Sequence, residues 1–175
     1  MTELALASLR SPRVSACVIL DSAVYKSVRP VNPLYPFLKT SFFGVGLLRA
    51  LPSGTLDARI SKALVDEFVA VTPSDAFVEL RTRAWSVPKV MHAVANEHTG
   101  SATEIARQSP AYRDIRIPVF IVAQEADAGR RENAERLHRD VSDSTLELLP
   151  NTGHFVQIEQ SDAVTALIRR AAQSE

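Results

Sequence analysis

Three short, mostly apolar runs stand out along the chain, at residues 14–20, 117–123 and 144–150. Each run is bounded by polar residues or proline, and none shows the strict alternation of a strand with one solvent-facing side. Continuous apolar runs of this length are typical of strands that are buried on both faces of a parallel sheet. The pattern therefore predicts three core strands.

Helical spacing of apolar residues follows the second and third runs. Residues 131–141 and 161–172 each place their apolar side chains on one face, and a shorter helical pattern covers residues 2–10. A strand, helix, strand, helix order indicates a parallel sheet with helical connections. The predicted fold class is α/β, with about three parallel strands flanked by helices.

A long segment of different character separates the first two strands. It has prolines and Gly100 as punctuation, with Gly100 ending the last helix. It holds most of the aromatic residues and shows helical patterns at residues 33–51, 56–71, 74–85 and 88–98. Such an insert is either a lid over an apolar pocket or a small unit with its own core. The predicted organisation is core at residues 1–24, helical insert at 25–110, and core again at 111–175.

Charge and composition exclude several classes of protein. The chain is 46% hydrophobic, and its 20 Lys and Arg residues are scattered among 20 Asp and Glu residues, so neither a nucleic acid nor a membrane surface is an expected partner. Cys17 is the only cysteine, which excludes a disulfide framework. His92 and His98 are six residues apart and off one helical face, so we expect no metal and no cofactor. A cytoplasmic protein is predicted.

One short segment carries candidate chemistry. In LELLPNTGHFVQIEQ, residues 146–160, the pair Gly153-His154 follows an apolar strand and precedes a helix. A histidine on such a loop is either an ordinary surface residue or a general base, which needs a carboxylate to hold its Nδ1–H and fix its tautomer.

The same segment, together with RDIRIPVFIVAQEAD at residues 113–127, resembles the C-terminal half of an α/β-hydrolase from the branch with a helical cap. The resemblance implies that Asp127 is the catalytic acid and His154 the base, in the family's chain order. It leaves Glu125 as an alternative acid. It also implies a tight turn at Gly153, and a Glu159 that caps or braces the following helix.

The nucleophile of this family stands on a sharp G-x-S-x-G turn, and no such pattern occurs among the six glycines. The resemblance places that turn upstream of Met1. We therefore expect a C-terminal fragment that lacks its nucleophile and is inactive alone. Its three-stranded half-sheet would have an exposed edge, which favours self-association or pairing with another chain.

Two functions are compatible with these features. The first is hydrolysis of a small apolar ester, amide, lactone or related bond, with Asp127 and His154 completing a site whose nucleophile lies elsewhere. The second is a non-catalytic, truncated relative that acts as a binding or interaction module through its sheet edge.

Overall fold

The computed structural model describes residues 13–25, 35–40, 43–50 and 54–174. The helix predicted at residues 2–10 lies outside these ranges. The chain divides into two compact units, one formed by Met1–Ser27 with Thr103–Glu175 and the other by Val28–Ala102. This second unit covers residues 28–102, where the sequence predicts an insert at residues 25–110.

The first unit contains a three-stranded sheet. Its strands are β1 (Cys17–Leu20), β2 (Val119–Gln124) and β3 (Ser144–Leu149). They lie in the order β1-β2-β3, and both pairs are parallel. The predicted α/β class with three parallel strands is confirmed, although β1 begins three residues later than residue 14.

The register of the sheet brings the ends of the three strands together. Leu20 pairs with Val122, and Gln124 at the end of β2 pairs with Leu149 at the end of β3. Because the strands are parallel, the residues that follow them emerge at one carboxyl edge of the sheet, where sites in open α/β sheets form.

The helical unit begins with α1 (Tyr35–Leu38), α2 (Phe43–Ala50), α3 (Thr55–Asp66) and α4 (Asp75–Trp85). The next helix, α5 (Pro88–Gln108), passes through Gly100 rather than stopping before it and continues into the first unit. A glycine in a helix interior costs only about 1 kcal/mol, which the rest of a 21-residue helix offsets. The buried side chains of the helical unit's hydrophobic cluster are Leu38, Leu48 and Ala95.

Helices cover both faces of the sheet. A 3-10 helix (Ser109–Asp114) precedes β2, and α6 (Ala128–Asp140), α7 (Val156–Glu159) and α8 (Ser161–Ala172) follow β2 and β3. Ile121 belongs to the hydrophobic cluster that contains the apolar side chains of α6, whereas its neighbour Val122 belongs to the cluster of α8. Successive side chains of a strand point to opposite faces, so the apolar run at β2 is buried on both sides.

None of the helices in the described ranges is long and apolar enough to cross a lipid bilayer.

Candidate active site

His154 lies on the loop between β3 and α7, at the carboxyl edge of the sheet. Its Nδ1 atom is 2.7 Å from Oδ2 of Asp21, the residue that directly follows β1. The main-chain N–H of Asp21 donates to the carbonyl oxygen of Val122 at 2.7 Å, which continues the β1–β2 ladder and places Asp21 at this edge. The pair is therefore held by two strand ends rather than by neighbours in sequence.

The carboxylate of Asp21 is fully buried, with 0% of its side chain exposed. Gln124 donates to both oxygens, from its main-chain N–H to Oδ1 at 3.1 Å and from Nε2 to Oδ2 at 3.0 Å. Arg130 adds an ion pair from Nε to Oδ2 at 3.3 Å. An unpaired buried carboxylate is strongly disfavoured, whereas one with several charge-assisted donors is stable in its ionised form. These donors also orient Oδ2 toward His154.

The partner of Nδ1 determines which ring nitrogen of His154 carries the proton. An ionised carboxylate only accepts hydrogen bonds, so Nδ1 carries the hydrogen that bonds to Asp21, and the neutral ring keeps its lone pair on Nε2. The His154 side chain is 36% exposed. A histidine in this state can take a proton at Nε2, while the carboxylate stabilises the imidazolium that forms.

Asp127 occupies a different place from the one expected. Its Oδ1 accepts from the main-chain N–H groups of Gly129 at 2.9 Å and Arg130 at 3.1 Å, so Asp127 is the N-cap of α6. The first N–H groups of a helix have no partner within the helix, and an Asp at the N-cap satisfies them. The contact expected between Asp127 and His154 is replaced by the contact between Asp21 and His154.

Glu125, the alternative acid, has an exposed side chain, and its main-chain N–H donates to the carbonyl oxygen of Leu149 at 3.0 Å. The carboxylate bonded to His154 is that of Asp21 alone among the described residues. The structure therefore places neither sequence-predicted acid on the histidine, and a catalytic role for Asp127 stays a prediction.

The loop that carries His154 is held by a hydrogen bond between two residues that are six positions apart in the sequence. Oε1 of Glu159 accepts from the main-chain N–H of Gly153 at 2.7 Å, so Glu159 braces the histidine loop. The turn itself is made at Asn151, whose φ of 49° lies in the left-handed region. Gly153, the expected turn residue, is not among the described residues with positive φ. Asn tolerates that conformation better than most residues, which explains the shift.

Three residues of the site were missed by sequence reasoning: Asp21, Gln124 and Arg130. Asp21 did carry a signal, because an acidic residue directly after a buried parallel strand points to the same edge as one after the next strand. Gln124 and Arg130 carried none. A glutamine at a strand end and an arginine in the first turn of a helix are common, and their contacts depend on how the strands are ordered.

The other histidines have different partners. Nδ1 of His92 lies 3.0 Å from the carbonyl oxygen of Leu38, and Nδ1 of His138 lies 2.9 Å from Oγ of Ser144. Within the described ranges, no group of three His, Cys, Asp or Glu side chains is arranged to hold a metal ion.

A parallel sheet that brings a histidine and a buried carboxylate to its carboxyl edge defines the class of α/β proteins that includes many hydrolases. The model of the alpha/beta hydrolase family matches residues 2–167. The chain belongs to this family. None of the curated proteins matches the sequence.

Solved structures with the same fold include an alpha/beta hydrolase fold protein from Burkholderia ambifaria, with 19% identity and a TM-score of 0.70 over 94% of this chain and 60% of that one. A probable hydrolytic enzyme from Pseudomonas aeruginosa matches at 14% identity and a TM-score of 0.64, over 98% of this chain and 59% of that one. An esterase from Exiguobacterium antarcticum matches at 16% identity and a TM-score of 0.61, over 92% of this chain and 58% of that one. The chain thus spans about 60% of the length of these structures.

Proposed function

We propose that Asp21 and His154 form the acid–base part of a hydrolase site that acts on a small apolar ester, amide, lactone or related bond. The observation that carries this proposal is the 2.7 Å contact between Nδ1 of His154 and the fully buried carboxylate of Asp21. Membership of the alpha/beta hydrolase family supports the same type of chemistry. No cofactor is needed for it.

In this proposal, Nε2 of His154 takes the proton of a nucleophile as it attacks the substrate and then returns it to the leaving group. The nucleophile and the oxyanion donors come from residues outside this sequence. Two observations support that division: the 175 residues contain no G-x-S-x-G turn, and they span about 60% of the solved relatives. Alone, the pair would act only as a general base on water, with a gain on the order of 10²–10⁴.

We also propose that the helical unit Val28–Ala102 is a cap domain. Its place in the sequence, between β1 and β2, supports this role, as does its content of aromatic residues. Nothing in the site chemistry requires a membrane or a nucleic acid, and we propose a cytoplasmic protein with a small apolar substrate.

The test uses the full-length natural protein, whose intact mass is measured first against 19.2 kDa, the mass of these residues. Hydrolysis of short-chain p-nitrophenyl esters is then compared between the wild type, His154→Ala and a matched control, His138→Ala. We expect His154→Ala to abolish turnover with an unchanged circular dichroism spectrum, and His138→Ala to retain it. Activity retained by a folded His154→Ala protein would overturn the proposal.

An alternative is a non-catalytic module that binds another chain through its sheet edge. The observation that favours it is that β1 pairs on one side only, with β2, among the described strands. Unpaired strand edges recruit further strands. Size-exclusion chromatography with light scattering separates the two, because this alternative requires a dimer or a complex, whereas a catalytically active monomer excludes it.

A further inference from the structure

Asp21 adopts a backbone conformation that is uncommon for a non-glycine residue. Its φ is 39°, in the left-handed region. Such a conformation costs free energy for an L-residue and persists where neighbouring contacts fix it. Contacts that fix the main chain of Asp21 therefore help to hold the acid of the proposed site in place.

Arg130 supplies two of these contacts at once. Its Nη1 donates to the main-chain carbonyl oxygen of Asp21, and its Nε lies 3.3 Å from Oδ2 of the same residue. The guanidinium thus contacts the main-chain carbonyl oxygen and the carboxylate of Asp21 at the same time. A planar fork of donors matches this geometry, whereas the single ammonium of lysine would reach only one of the two oxygens at a time.

Arg130 is itself positioned by the start of α6. It is the third residue of that helix, and its main-chain N–H donates to Oδ1 of the N-cap residue Asp127 at 3.1 Å. The side chain is 26% exposed, while the carboxylate that it contacts is not exposed at all. A positive charge next to a buried carboxylate offsets the cost of burying that charge.

We propose that Arg130 is a positioning residue of the active site. By holding both the carbonyl oxygen and the carboxylate of Asp21, it places Oδ2 where Nδ1–H of His154 donates. This inference rests on the proposed function, since it assigns a residue that acts through the Asp21–His154 pair. It also gives Asp127 an indirect role, because the cap at Asp127 sets the helix start from which Arg130 extends.

The neighbouring arginine offers a matched control. Arg131 lies on the same helical turn, but its Nε pairs with Glu135 at 3.7 Å, and both side chains are more than 40% exposed. Arg130→Gln and Arg131→Gln remove the same charge one residue apart. Arg130→Lys keeps the charge and removes the fork.

The first readout is the proton resonance of His154 Nδ1–H, which lies far downfield when a carboxylate accepts the hydrogen bond and is identified by its loss in His154→Gln. We expect the resonance to disappear or to move toward the amide region in Arg130→Gln and Arg130→Lys, and to stay in place in Arg131→Gln. A wild-type position of this resonance in folded Arg130→Gln overturns the inference. A wild-type position in Arg130→Lys overturns it as well.

The second readout is ester hydrolysis by the full-length protein. We expect kcat to fall on the order of 10²-fold in both Arg130 variants, with KM little changed, because the acid is displaced and substrate binding is not. If His154→Ala and Arg131→Gln behave as expected but Arg130→Gln keeps the wild-type kcat, the inference alone fails. If His154→Ala keeps its activity, the proposed function fails.

A third measurement needs no variant, in case the substitutions prevent folding. In the wild-type protein, the Nε–H of Arg130 should exchange with solvent more slowly than that of Arg131, by about tenfold or more, since it is held against a buried carboxylate. Equal exchange rates at the two side chains would show that the Arg130 contact does not persist in solution and would overturn the inference.

Discussion

The hydrogen bond between Nδ1 of His154 and Oδ2 of Asp21, at 2.7 Å, joins two residues that are 133 positions apart in the sequence. It depends on β1 and β3 lying on either side of β2 with their carboxyl ends at the same edge of the sheet. Asp127, which is much closer in sequence to His154, instead caps α6. The identity of the carboxylate that contacts His154 is thus a consequence of strand order.

Exchanging the two aspartates for asparagine separates their roles. We expect Asp21→Asn to lower kcat of the full-length protein on the order of 10³–10⁴-fold, because an amide at this position orients the imidazole in the wrong tautomer. Asp127→Asn should keep kcat close to the wild-type value, since asparagine is an equally good N-cap. The measurement is p-nitrophenyl ester hydrolysis, and the reverse order of the two effects would assign the acid to Asp127.

Removing the cap at Asp127 should weaken the fold. Asp127→Ala leaves the N–H groups of Gly129 and Arg130 without the acceptor that now satisfies them. We expect the free energy of unfolding to fall by about 0.5–2 kcal/mol in urea titrations monitored by circular dichroism. Asp127→Ser is the matched control and should recover most of the loss. If the alanine and serine variants were equally stable, Asp127 would contribute nothing as a cap.

The brace between Glu159 and Gly153 gives a local prediction. Glu159→Ala removes the acceptor of a buried main-chain N–H, which we expect to cost about 1–3 kcal/mol and to speed amide exchange at Gly153. Glu159→Gln retains a carbonyl oxygen in the same place, so its exchange rate at Gly153 should remain nearer to the wild type. Unchanged exchange at Gly153 in Glu159→Ala would contradict this role.

The carboxylate of Asp140 leads to a prediction of how the free energy of unfolding depends on pH. The hydroxyl of Tyr25 donates to Oδ2 of Asp140 at 2.8 Å, and Arg113 contacts Oδ1 at 3.1 Å. The hydrogen bond from Tyr25, followed by the one from Arg113, holds the pKa of Asp140 below its ordinary value. Burial and the same hydrogen bond raise the pKa of Tyr25.

Because the pKa of Asp140 is lower in the folded than in the unfolded state, its contribution is complete above the unfolded pKa of about 3.9 and is lost as the pH falls through the folded value. At neutral pH, Tyr25→Phe should lower the free energy of unfolding by about 1.5–3 kcal/mol, as for a hydrogen bond to a charged group. That deficit should shrink below about pH 4. The measurement is urea unfolding at a series of pH values.

Tyr112→Phe is the matched control for this pH dependence. The hydroxyl of Tyr112 donates to the main-chain carbonyl oxygen of Val24 at 3.1 Å, an acceptor that does not titrate. The loss in free energy of unfolding caused by Tyr112→Phe should therefore stay constant from neutral pH to about pH 2. Parallel behaviour of the two variants would show that Asp140 does not carry the pH dependence.

Much of the fold followed from local patterns. The strands at β2 and β3 and the helix α8 were predicted within two residues of their observed ends, because apolar runs and one-sided helical spacing reflect burial directly. The end of α5 was missed, since a stop at Gly100 is a local preference that tertiary packing overrides. His154 was found because a Gly-His pair between a strand and a helix stands in a recognisable local context.

The sequence by itself determined the α/β class, the three parallel strands and the position of His154 on a strand-to-helix loop. Only the tertiary structure decided which carboxylate that histidine contacts and which residues hold it. The physical reason is that strand patterns carry no information on lateral order, while Asp21, Gln124, Arg130 and His154 meet only because three strand ends lie side by side. The chemistry of the candidate site is a property of that alignment.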